Sequence, residues 1–226
     1  MRIDPNWLAP TWFIDSDSDV IAAFTNDAAG DATDPVAIAS NLFHAVRDGI
    51  QYDPYAMAEA PEHFRASYIA QTKRNWCIPK SVLLVAAARH AGIPARLGFA
   101  DVRNHLTSEK LSRTMGTDLF AWHGFAELLL NERWVKLSTA FNIELCERFG
   151  VKVLEFDGVN DALMHPFDEQ GNRHMEYVRQ RGSYDDLPLD EIFDTFAEIY
   201  PDWTRDDDGT VHKVPVRAED SDEAFS

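Results

Sequence analysis

The segment from Cys77 to Ala91 constrains this chain more than any other, because its apolar side chains surround a helix almost completely. Val82, Leu83, Val85, Ala86 and Ala87 leave no broad polar face for water. A helix that is apolar all round must be enclosed by other elements. Pro79 fits the first turn, where a missing N–H costs nothing, and Gly92 followed by Pro94 stops the helix. The spacing therefore predicts a buried central helix over about 77–91, with Ala95–Val102 alternating like a strand directly after it.

The flanking sequence supplies the covering elements. Asp17-Ser18-Asp19 offers an N-cap for a short helix over Val20–Thr25. Asp34-Pro35 is a cap and first-turn pair for a helix over Val36–Ile50. From Gln51 to about Arg74 the chain reads as loop, and Arg103–Asp118 as a mobile loop with room for a short helix. His123–Leu130 and Arg133–Ser138 read as two strands of a hairpin turned at Asn131-Glu132. A short helix over Phe141–Phe149 ends at Gly150. Val151–Phe156 and 174–182 read as further strands, and Leu189–Tyr200 as a helix. Helices on either side of a run of strands at hairpin spacing predict an α+β domain. The expected division is a lead-in over 1–34 packed on the domain, a main domain over 35–201, and an acidic, disordered tail over 202–226.

Charge narrows the partners. The 226 residues carry 38 acidic and 21 basic side chains, a formal net charge of −17. Nucleic acid and anionic membrane surfaces require a basic face, so neither is expected as a partner. No apolar run reaches the roughly 20 residues of a membrane span. Charge and proline interrupt the first residues before a signal-peptide core forms, so a cytoplasmic location is expected. Two cysteines, Cys77 and Cys146, do not make a disulfide framework. Neither Cys-x-x-Cys nor His-Glu-x-x-His is present, so no metal site is expected.

The chemistry-bearing residues follow this plan. Cys77 opens the central helix, and the positive end of a helix dipole favours a thiolate there, so a lowered thiol pKa is expected. His123 opens a strand downstream and is the candidate base. Cys146 has no such setting and reads as a small core residue.

The order of these residues resembles the transglutaminase-like superfamily of papain-like cysteine enzymes, in particular bacterial transglutaminase-like domain proteins. Cys77 heads the helix that ends in Gly92-Ile93-Pro94-Ala95-Arg96. His123 heads a strand followed by one carrying Trp134-Val135. The resemblance covers roughly 35–145. It implies a central helix carrying the cysteine, packed on an antiparallel sheet carrying the histidine. It also implies a thiol-dependent amide hydrolase or acyltransferase acting through a thioester on a peptide or protein, with an amine as possible acceptor and without a cofactor.

One position departs from the family pattern. Matching from Trp134 puts Ser138 where the family carries the aspartate that orients the histidine. Asn142, at period two from Ser138, would give a Cys-His-Asn arrangement, and Asp157 is a third candidate. Trp76 and Trp122, each directly before a catalytic candidate, are expected to wall the site or assist at the oxyanion. Loss of the aspartate leaves a second expectation open: an inactive member of the fold that binds peptides or proteins.

Overall fold

The computed structural model describes residues 2–58, 60–105, 115–165, 167–168, 170–172, 174–206 and 210–213. After a 3-10 turn at Pro5–Trp7 come α1 (Asp19–Ala29) and α2 (Pro35–Gly49). Ser18 and Asp34 cap them through bonds from Ile21 N–H and from Val36 and Ala37 N–H. A two-residue parallel pair, β1 (Gln51–Tyr52) and β2 (Arg74–Asn75), brackets a 3-10 turn at Pro61–Phe64 and the short α3 (Ala66–Ile69). These short elements stand where sequence reading expects only loop. The start of α3 is held by Asp15, which accepts from the Ser67 N–H and hydroxyl. A cap delivered from fifty residues away leaves no local signature.

The central helix α4 (Cys77–His90) is buried from Cys77 through Arg89, as its apolar circumference requires. It packs on a four-stranded antiparallel sheet ordered β5-β4-β3-β6. The strands are β3 (Ala95–Asn104), β4 (Leu119–Leu130), β5 (Arg133–Leu137) and β6 (Met175–Tyr184). Asn131 and Glu132 turn the β4–β5 hairpin with φ of 49° and 63°, the conformation that matches strand twist. Between β5 and β6 lies α5 (Ile143–Phe149), and after β6 come α6 (Leu189–Ile199), β7 (Trp203–Arg205) and β8 (Val211–Lys213). Helices α1, α2 and α3 also pack on α4, so the helix sits between layers.

Two further readings differ from this architecture. Val151–Phe156 is not a strand. Its Leu154 carbonyl accepts from Arg47, and Glu155 pairs with Arg47 and His44, so the segment lies against α2 instead of joining the sheet. The chain from Asp202 onward is not uniformly irregular either. β7 and β8 pair antiparallel, and Trp203 is buried against Phe193 and Phe196. The centre of the 103–118 loop and the tail beyond 213 lie outside the described residues.

Candidate active site

Cys77 is the first residue of α4, and its side chain lines a pocket that His123 of β4 also lines. The two elements come this close because Gly124 follows the histidine. A Cβ there would lie 3.1 Å from the Ile78 Cα, so any larger residue would push the first turn of α4 off the strand. The Gly124, Ile78 and Cys77 backbone N–H groups stabilise the thiolate form of Cys77.

The position of His123 rests on a break in the sheet. His123 pairs with Ala100 and Phe120 with Val102, so Ala121 and Trp122 together face the single residue Asp101. This is a β-bulge, a device that re-aims a strand side chain. Trp122 adopts φ 59°, a strained conformation for a bulky residue. Its N–H, lost to the ladder, donates to the buried Asp101 carboxylate, which also accepts from Arg181. The Ala121 N–H donates to the Tyr200 hydroxyl at 2.7 Å, and that hydroxyl donates to the Leu119 carbonyl. Asp101, Arg181 and Tyr200 thus support the histidine, although the sequence flags none of them. Nothing in the local pattern signals a positive φ at a tryptophan.

Ser138 follows β5 and brings its Oγ to 3.5 Å from His123 Nε2, a long contact with an uncharged partner. Its N–H donates to the Ala162 carbonyl. Lys80, three residues after Cys77, is fully buried and donates to the carbonyls of Arg47, Ile50 and Ala140 at 2.6–3.0 Å. Burial pulls the Lys80 pKa down to about 7, and its amine closes the C-terminal end of α2 and pins the stretch behind Ser138 through these three carbonyls.

The other expected residues go elsewhere. Asn142 precedes α5, accepts from the Tyr52 N–H and donates to Glu144, so its amide is not turned to His123. Asp157 is held in a surface turn by Val159 and Asn160. Trp76 lines the pocket beside Cys77. Trp122 lies apart from the pocket, with its indole bonded to Thr195 and covered by the Arg181 guanidinium at 4.6 Å. Cys146 is buried in α5.

Electrostatics departs from the sequence expectation. Burial pushes the Cys77 thiol up to about 11, outweighing the three N–H bonds and the nearby Lys80 charge that oppose it. Burial alone pulls His123 down to about 4. Desolvation outweighs the helix terminus at Cys77 and acts unopposed at His123, so the pair rests neutral near pH 7. Among the described residues, no three His, Cys, Asp or Glu side chains gather to hold a metal ion. No helix of the described residues is long and apolar enough to cross a membrane.

Residues 22–139 match the family model of the transglutaminase-like superfamily, a span of more than half the chain that contains Cys77, His123 and Ser138. The chain belongs to the transglutaminase-like superfamily. No curated protein matches it in sequence. Among solved structures, that of a putative cysteine protease from Cytophaga hutchinsonii matches with a TM-score of 0.50 at 12% identity. The match covers 80% of this chain and 46% of that one, so the chain spans about half the length of that protein. At such identity the likeness shows the fold. The mixed helix and antiparallel sheet of this transglutaminase-like chain are therefore shared with a structure outside close sequence similarity. A general cysteine-enzyme-like function accords with the family match.

Proposed function

We propose that the protein is a thiol-dependent amide hydrolase or acyltransferase acting on a peptide or protein, with Cys77 as nucleophile and His123 as base. The observation that carries this reading is that Cys77 and His123 line one pocket, with Ser138 Oγ 3.5 Å from His123 Nε2. The protease named in the Cytophaga hutchinsonii match supports a peptide as substrate class.

For His123 to accept a proton at Nδ1, Nε2 must carry the hydrogen and donate it to Ser138 Oγ. Nδ1 then takes the Cys77 proton as sulfur attacks the amide carbonyl. The C–S bond forms, and the carbonyl π electrons move onto oxygen, which faces the N-terminal N–H groups of α4. Collapse breaks the C–N bond, and the imidazolium protonates the leaving amine. Water or a second amine, deprotonated by His123, attacks the thioester, and the C–S bond breaks to return the thiol. Because Cys77 and His123 begin neutral, proton transfer accompanies attack instead of preceding it.

The test is to trap the thioester. Acid quenching during turnover of an N-acetylaminoacyl p-nitroanilide, followed by peptide mapping, is expected to place the acyl group on Cys77. The adduct is absent in Cys77→Ala. Turnover that survives Cys77→Ala contradicts the reading. One observation favours a second reading, a catalytically inactive module that binds peptides: His123 is oriented by the uncharged Ser138, and burial alone sets its pKa. Peptide binding without any acyl adduct would support that module.

A further inference from the structure

The pocket in front of Cys77 is mainly apolar, with Tyr52, Tyr55 and Asn104 among its polar lining residues. Three of the five methionines of the chain, Met57, Met115 and Met175, line it. They are joined by aromatic rings, among them Phe120, Phe141 and Trp203. Tyr200 also lines it, but its hydroxyl is committed to the backbone of Leu119 and Ala121. Among the described residues, no lysine or arginine lines the pocket, and Asp202 contributes the only acid.

We propose that this pocket receives an apolar side chain of the acyl donor, aromatic or long and unbranched, and rejects acidic ones. The proposal rests on reading Cys77 as the nucleophile and adds the substrate class. A carboxylate entering this wall would lose its hydration with no cation to replace it, while facing Asp202. A large apolar group exchanges water for rings and thioethers. Methionine is unbranched and flexible, so the wall adapts its shape to aromatic and aliphatic groups alike. Phe141, Met175, Phe196, Tyr200 and Trp203 all lie beyond residue 139, where the family match ends. The wall is therefore built from both sides of that boundary, with Met57, Met115 and Phe120 inside the matched span.

The test measures binding in Cys77→Ala, which needs no thiol. N-acetylphenylalaninamide, N-acetylmethioninamide, N-acetylalaninamide and N-acetylglutamic acid α-amide are titrated by protein NMR at pH 7. The phenylalanine and methionine ligands are expected to bind about tenfold tighter than alanine, the scale of a well-filled apolar subsite, and the glutamate ligand weakest. Met57→Lys in the same background is expected to shift the glutamate-to-phenylalanine ratio at least about tenfold toward glutamate. Met57→Leu is expected to leave the ratio unchanged. Equal binding of all four ligands, preference for glutamate, or an unchanged ratio in a folded Met57→Lys protein overturns the proposal. Failure here leaves the thioester test of Cys77 untouched. Failure of the thioester test with apolar selectivity intact identifies the binding module instead.

Discussion

At the scale of single residues, the site turns on how desolvation competes with charge. Cys77 occupies a helix N-terminus and receives backbone N–H bonds, yet its thiol is held at about 11. His123 is held at about 4. Thiolate fraction rises tenfold per pH unit below its pKa, so Cys77 alkylation by iodoacetamide is expected to climb steadily from pH 6 to 9. A plateau reaching down to pH 5 would instead mark a preformed ion pair. Burial sets this behaviour, and Ser138, an uncharged hydroxyl 3.5 Å from His123 Nε2, offers the imidazolium no counter-charge against it. Ser138→Asp is expected to raise the His123 pKa, favour the ion pair and raise Cys77 alkylation at pH 7 about tenfold. An unchanged pH profile in a folded Ser138→Asp protein would show that Ser138 does not govern the histidine. Cys77, His123 and Ser138 are visible in the sequence because their order and flanking residues form a pattern. The rise of the thiol pKa is not, since it depends on walls assembled from distant segments such as Phe141 and Trp203.

At the scale of elements, α4 is positioned from both ends. Arg89 donates to the carbonyls of Ala9, Ala95 and Asp185, and Lys80 to those of Arg47, Ile50 and Ala140. When protonated, Lys80 has three N–H donors, and each has a carbonyl acceptor here. Lys80→Met strands three carbonyls and is expected to destabilise the fold by about 3 kcal/mol, read as a lowered urea midpoint. A loss under about 1 kcal/mol would show that water replaces the ammonium. The central helix itself is legible from its apolar circumference and its Gly92 stop, and the β4–β5 hairpin from two runs separated by two residues. The bulge at Ala121-Trp122 is not legible, because it is held by Asp101 and Tyr200 from other strands and helices. Val151–Phe156 misleads for a related reason: its alternation suits a strand, but Arg47 claims its backbone.

At the scale of the whole molecule, the layers bury titratable groups that prefer to be neutral. His123 and His174 are both held at about 4, so the unfolded chain binds their protons first as pH falls below about 6.5. Their contribution is complete above pH 6.5 and is lost as pH falls toward 4, by up to roughly 3 kcal/mol for each group. Urea unfolding is expected to show clearly lower stability at pH 5 than at pH 7.5, and equal stability would mean that these histidines are solvated. Segments on both sides of residue 139 line the pocket, so the wall in front of Cys77 depends on the whole fold. The central claim, that Cys77 is a nucleophile activated by His123, is tested most directly by iodoacetamide labelling at pH 7.5 with peptide mapping. Cys77 is expected to react at least about tenfold faster than the equally raised but structural Cys146, and His123→Ala to remove most of that advantage. Equal labelling of the two cysteines, or a Cys77 rate unchanged by His123→Ala, would contradict the account.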